Sequence, residues 1–312
     1  MKLNKIKLAL GFVTAAAMAM PIVASAAADQ EKAMSNSANW AHPRGQHDNQ
    51  AYSKLTQVNK GNVKNLKAAW TLSTGVNRGH EGSPLVIGNM LYVHTAFPNN
   101  VYALDLNNNQ KVVWSYFPKQ DPSVQAVLCC DNVNRGLGFG NGKIFLQQND
   151  GNLVALNAKT GAKVWSTSNV DPKVGATNTN APHVINDKVL TGCSGAEFGV
   201  RCFIAAYNIE DGSLAWKAMS TGPDSEVLIG ADFNKENPLY SALSVYEDVN
   251  GGNTEGGSFK RIPNDQLQGG VADLGLKTWL KPQAVKDGWQ HGGGSVWGWW
   301  PYDAKTNLVY YG

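Results

Sequence analysis

The chain has 312 residues, of which 43% are hydrophobic and 16% charged, with 33 glycines and 10 tryptophans. So little charge beside so much glycine and tryptophan excludes a coiled coil or a charged helical bundle, and the apolar content excludes bulk disorder. The formal net charge of +3 comes from Lys2, Lys5 and Lys7, which no acid offsets in the first 26 residues; the rest balances, leaving no basic surplus for nucleic acid.

Residues 1–26 have the three parts of an export signal. The lysines come first, an apolar run from Leu8 to Ala24 follows, and Ala24-Ser25-Ala26 is an A-x-A cleavage site. A membrane anchor is the alternative, but the run is short and holds Pro21. No other stretch is long and apolar enough to span, so residues 27–312 are expected to form a soluble periplasmic domain. The four cysteines then meet an oxidising compartment.

Next comes Arg78-Gly79-His80-Glu81-Gly82-Ser83-Pro84, a polar loop ahead of an apolar strand. From there the chain repeats itself. A hairpin around Gly88-Asn89 leads to Ala103-Leu104-Asp105 and on to Trp114. A second hairpin around Asn141-Gly142 leads to Ala155-Leu156-Asn157-Ala158-Lys159-Thr160-Gly161 and Trp165. A third around Asn186-Asp187 leads to Ala206-Tyr207-Asn208-Ile209-Glu210-Asp211-Gly212 and Trp216. The tryptophans recur every 51 residues; Trp70 closes a degenerate earlier copy, and Tyr302-Asp303 to Tyr311 forms a weaker later one. In each copy a strand ends at Ala, Asp or Asn opens a turn, Gly supplies a positive φ, and the next strand returns the Trp. Four short strands per period, repeated, predict an all-β propeller whose indoles fill the gaps between blades.

Four clusters fall outside this packing pattern. Cys129-Cys130 are adjacent and followed by Arg135; on their own they read as two free or separately paired thiols. The Glu81 loop reads as a surface turn. In Gly192-Cys193-Ser194-Gly195-Ala196-Glu197-Phe198-Gly199-Val200-Arg201-Cys202 one carboxylate stands among small residues, suited to a hard cation or to a solvated hairpin. In Gly292-Gly293-Gly294-Ser295-Val296-Trp297-Gly298-Trp299-Trp300 the glycines leave Trp297 as a platform for a flat ligand. No P-loop is present, since Ile144 follows Lys143 where Ser or Thr is needed, and neither a zinc motif nor a C-x-x-C-H haem site occurs.

Together, from Asn39-Trp40 to Gly312, these segments resemble the pyrroloquinoline quinone (PQQ)-dependent alcohol dehydrogenases of the methanol dehydrogenase large-subunit type. The entry segment Tyr52-Ser53-Lys54-Leu55, Asn62-Val63, Leu66 and Trp70 belongs to the likeness. The resemblance implies an eight-bladed propeller with PQQ in its axial funnel, between a vicinal disulfide matching Cys129–Cys130 and an indole matching Trp297. It makes Arg135 the cationic partner of the cofactor, Glu81, Thr179, Ser194, Gly195, Ala196 and Ser295 further contacts, and Glu197 a ligand of Ca²⁺ or a lanthanide. It implies oxidation of primary alcohols to aldehydes with electrons passed to a periplasmic cytochrome c, and it leaves room for a small second subunit and a homodimer.

The family's catalytic Asp base is expected beyond Gly312, and so is a metal-binding Asn. The chain therefore reads as an N-terminal part of the propeller, inactive alone and with no catalytic residue of its own. Cys193 and Cys202 depart from the family pattern: an even cysteine count and export favour a cross-strand disulfide, against two buried free thiols. A non-catalytic propeller scaffold for envelope assembly is the alternative function; it would keep the Trp turns but has no use for the four clusters.

Overall fold

In a computed structural model of the chain, residues 29–128, 130–222, 290 and 292–312 are described, with the backbone of two further strands, Tyr246–Asp248 and Phe259–Arg261. Residues 1–26, read as the export signal, lie outside the described residues. No described helix is long and apolar enough to cross a membrane.

The regular structure is almost wholly β. Strand β1 (His80–Ser83) runs through Pro84 into β2 (Leu85–Ile87), which forms an antiparallel meander with β3 (Met90–His94), β4 (Val101–Asp105) and β5 (Lys111–Tyr116). A second meander is β6 (Asn134–Gly140), β7 (Lys143–Gln147), β8 (Asn152–Asn157) and β9 (Lys163–Ser168); a third is β10 (His183–Ile185), β11 (Lys188–Thr191), β12 (Phe203–Asn208) and β13 (Leu214–Met219). These are three propeller blades. Hairpins β14–β15 (Tyr246–Asp248, Phe259–Arg261) and β16–β17 (Tyr302–Asp303, Leu308–Val309) follow. The turns form where Asn or Gly takes a positive φ, as at Asn141 (47°) and Gly142 (63°) between β6 and β7.

The repeat has a backbone basis. Ala103, Ala155 and Ala206 stand opposite Trp114, Trp165 and Trp216, and in all three blades the register slips at the next residue. This bulge sharpens the twist of the outermost strand and aims the indole out of its own sheet. Trp114 Nε1 donates to the Ala158 carbonyl at 3.0 Å, and Trp165 Nε1 to the Ile209 carbonyl at 3.1 Å, each on the turn of the following blade. Gly161 and Gly212 cap the two rings; a Cβ on either would stand 2.6 Å from an indole carbon. Trp216 is 45% exposed.

The core lies between blades. On β7, Ile144 and Leu146 face a cluster with Leu85, Tyr92, Val101 and Trp114, while Phe145 faces the opposite way onto Trp165, Val184, Val189 and Phe203. A strand covered on both faces reads as a continuous apolar run, whereas outer strand β9 buries only Trp165. Residues 66–79, where the repeat predicts that Trp70 closes a copy, form no strand; Trp70 is 42% exposed. A strand is stable only against a partner, and among the described residues this segment has none.

Candidate functional site

Strand β1 supplies the first side chain of the site. It leads into the first blade but pairs in parallel with β6 of the second, His80 with Asn134 and Ser83 with Gly136. This puts Glu81 beside Arg135, with the Arg135 Nη2 to Glu81 Oε2 distance at 3.0 Å. The Arg135 side chain is 7% exposed and that of Glu81 42%. Burial lowers the guanidinium's pKa, and Glu81 opposes the shift. An arginine remains charged through such an effect.

The other guanidinium contacts come from the segment ahead of β10. Arg135 Nη1 donates to Thr179 Oγ1 at 2.8 Å and to the Thr179 carbonyl at 3.3 Å. Thr179 Oγ1 in turn lies 2.9 Å from Ser194 Oγ. Ser194 is fixed by paired backbone hydrogen bonds with Thr177, at 2.9 and 3.1 Å. Glu81, Arg135, Thr179 and Ser194 thus form one connected chain, with three of the four buried.

The indole arrives from the far end of the chain. The Arg135 guanidinium carbon lies 4.4 Å from the centroid of the Trp297 ring, a cation–π contact, and Trp297 is 48% exposed. Trp299, which sequence reasoning did not select, donates from Nε1 to the Arg135 carbonyl at 3.1 Å. Val296 N donates to the Cys193 carbonyl at 2.9 Å. Gly192 lies so close to Val296, and Gly292 to the Ala196 carbonyl, that a Cβ on either would collide with backbone. The glycines therefore let the Trp297 segment lie directly against the segment carrying Ser194 to Glu197. Ser295 lies in the same strip, half-buried.

Gly195 turns the chain at φ 115°, a conformation that favours glycine, and starts a short 3₁₀ turn, Ala196–Phe198, which Gly199 ends at φ 84°. Glu197 projects from it, exposed. Behind this turn Cys193 and Cys202 are joined by a disulfide, with Cα atoms 5.5 Å apart and both residues fully buried. Cys130 is disulfide-bonded; Cys129 lies outside the described residues. Cys130 and Asp131 both take positive φ, 65° and 70°, and Arg78 Nε reaches Asp131 Oδ1 at 3.2 Å. Asp303 accepts hydrogen bonds from Lys305 N and Thr306 Oγ1 within its own turn, which lowers its pKa and leaves it outside the site.

A cationic, donor-rich floor beside a half-open indole suits a flat anion. The buried guanidinium and two hydroxyls can bind carboxylates, the ring can stack, and Gly192, Gly195 and Gly292 remove bulk from the walls. Two exposed carboxylates border it: Glu81, paired with the guanidinium, and Glu197 on its 3₁₀ turn.

A family model described as the PQQ glucose/ethanol/alcohol dehydrogenase β-propeller domain matches residues 40–237. The lanthanide-dependent methanol dehydrogenase of Methylorubrum extorquens is 46% identical over 281 residues, 90% of this chain and 41% of that protein. Methanol dehydrogenase (cytochrome c) subunit 1 of the same organism is 45% identical over 280 residues, 88% of this chain and 39% of that protein. Among solved structures, a europium-containing methanol dehydrogenase superposes with a TM-score of 0.73 at 43% identity, covering 91% of this chain and 43% of that one. The chain spans about two fifths of the length of these relatives.

Proposed function

The chain belongs to the family of PQQ glucose/ethanol/alcohol dehydrogenase β-propellers, and on that footing we propose that it is part of a periplasmic quinoprotein oxidising primary alcohols of the methanol and ethanol class to aldehydes. Electrons pass to cytochrome c. Residues 1–26 serve as the cleaved export signal, and residues 27–312 supply part of an eight-bladed propeller, with room in the assembly for a small second subunit and a homodimer.

The observation that carries this reading is the Arg135 guanidinium, buried, stacked on Trp297 and hydrogen-bonded to Thr179. Burying a cation is costly unless something is gained by holding it there. Glu81 satisfies one edge of this cation; a site for PQQ, a flat tricyclic quinone with three carboxylates, would use its remaining donors. When bound, PQQ supplies the carbon that accepts a hydride from the alcohol.

The chain's own residues bind and orient. Arg135, Thr179 and Ser194 meet carboxylates, with the guanidinium fixed in direction by Glu81 and by Trp299 on its own carbonyl. Trp297 and the Cys129–Cys130 pair are assigned to the flat ring, and Gly195, Ala196 and Ser295 would contact it as well. Glu197 is assigned to calcium or a lanthanide. Such hard cations take several oxygen ligands, and among the described residues no three of His, Cys, Asp and Glu come together, so Glu197 is one part of that sphere. The proton acceptor is assigned to an Asp beyond Gly312.

The test is reconstitution of the full-length protein with PQQ and either Ca²⁺ or La³⁺, followed by dye-linked oxidation of methanol, ethanol and longer primary alcohols. Reduction of the dye by a primary alcohol under one metal is expected. Absence of turnover with every alcohol and both metals, together with no quenching of tryptophan fluorescence by PQQ, would leave the scaffold reading instead.

A further inference from the structure

We propose that His94 is a positioning residue for the Glu81–Arg135 pair, an inference that rests on reading that pair as part of the cofactor site. The pairing of β1 with β6 is interrupted at the functional residues. His80 stands opposite Asn134 and Ser83 opposite Gly136, so Glu81 and Gly82 together oppose Arg135 alone. An extra residue on one strand is a β-bulge, which bends that strand and re-aims the side chain beside it. The side chain re-aimed here is Glu81, onto Arg135.

His94, the last residue of β3, fills the space behind the bulge. A Cβ on Gly82 would overlap its imidazole ring, so the backbone at Gly82 rests directly on the ring. On the other strand His94 Nε2 lies 3.2 Å from the Asn134 carbonyl oxygen. The ring therefore touches both sides of the bulge, each at the residue next to one member of the ion pair. Asn134 is pinned as well: its Nδ2 donates to the Gln147 carbonyl at 2.8 Å and its Oδ1 accepts from Gly136 N at 3.1 Å.

The tautomer follows from the geometry. A carbonyl only accepts, so Nε2 carries the hydrogen and Nδ1 is a bare lone pair, the less costly of the two nitrogens to leave unpartnered in a buried site. His94 is 5% exposed, and the ring is neutral at neutral pH because burial lowers its pKa, against the pull of the Asn134 carbonyl; His80 adds to the lowering. A neutral donor at this point braces the bulge without placing a second cation behind Arg135.

The experiment uses the full-length protein, PQQ titration read by tryptophan quenching, and crystal structures of the variants. His94→Leu, which keeps bulk but removes the donor, is expected to raise the Kd for PQQ about tenfold, while His94→Gln, which returns an N–H, holds it within about threefold. Gly82→Ala approaches the same contact from the other side and is expected to weaken binding similarly, with His94→Ala on top of it restoring part of the loss. In a Glu81→Gln background His94→Leu is expected to add less than about twofold, because the two residues act on one contact. Wild-type affinity in both His94→Leu and Gly82→Ala, or the full tenfold loss persisting without Glu81, would overturn the proposal. So would a crystal structure of His94→Leu with the Glu81–Arg135 separation unchanged at 3.0 Å. That readout stands even if the wild-type protein binds no PQQ, which would count against the cofactor reading and not against the role of His94.

Discussion

The indole N–H of Trp114 donates to the carbonyl oxygen of Ala158, 44 residues away on the next blade. Gly161 closes over the same ring at φ 71°. Gly161→Ala therefore brings both a strained backbone and an overlap with the indole. A loss of about 2–4 kcal/mol is expected. Gly142 is also at positive φ (63°), but a methyl group there would meet nothing within 4 Å. It supplies the control, with about 1 kcal/mol expected for Gly142→Ala. Urea unfolding of the two variants measures the difference, and equal losses would remove the indole contact as a cause.

Arg135→Lys keeps the positive charge and discards the planar fork. Lysine cannot hold Glu81, Thr179 and the Trp297 face together as the guanidinium does. The affinity for PQQ is expected to fall about ten- to a hundredfold, and the cofactor-free protein is expected to lose about 1–3 kcal/mol because Glu81 and Thr179 lose buried partners. Fluorescence titration and thermal melts on the same preparations check both halves.

Replacing Cys193 and Cys202 together by Ala opens a cross-link between residues nine apart in sequence. A loss of about 2–3 kcal/mol is expected, from the conformational freedom the unfolded chain regains. Denaturation with and without reductant is the measurement: reductant should lower the stability of the natural protein by more than that of the variant, which keeps only the disulfide at Cys130.

Acid should unfold the protein through its buried imidazoles. His42 Nε2 lies 3.2 Å from His183 Nδ1, the ring of His183 stacks on Trp300 at 4.8 Å, and His47 meets the edge of His42 on the side facing Glu31 and Asp48. Burial takes His183 down to about 3 and His94 to about 4, and lowers His42 well below its ordinary value, with the neighbouring histidines acting in the same direction on His42. The folded pKa values lie below the unfolded one, so the unfolded chain takes up protons first. The stability held above pH 6.5 is thus lost as the pH falls from about 6.5 towards 4, at about 1.4 kcal/mol per pH unit for each such histidine. Melting temperatures at pH 7.5, 6, 5 and 4 should show this slope, and His183→Phe should make it shallower.

Much of this was legible in the sequence, for identifiable reasons. Trp114, Trp165 and Trp216 recur at one spacing because a docking ring must meet a turn at one place in the next blade, and packing with a fixed period leaves a mark in the chain. Arg135 and Trp297 stood out in runs of small or polar residues that packing does not call for, the family resemblance linked them, and the structure brings the two together. Trp299 did not: its contribution is a hydrogen bond to a backbone carbonyl 164 residues away, and nothing in its neighbourhood separates it from Trp300, which is buried as packing. His94 was hidden for a related reason. It closes an ordinary apolar strand, and its role depends on a bulge in a strand pairing that joins two blades. The degenerate copy at Trp70 shows the converse, a residue that fits the pattern without the strand pairing that the pattern implies.

Strand β1 crosses from the first blade to hydrogen-bond with the second. Besides the core packed between them, the two blades are thus held by the indole on its turn near the rim and by a parallel strand pair at Glu81 and Arg135. An opening of the blades at that strand pair would separate the ion pair in the same movement. On warming, capacity to bind a ligand should disappear together with the separation of these two blades, ahead of or alongside the loss of β structure within each.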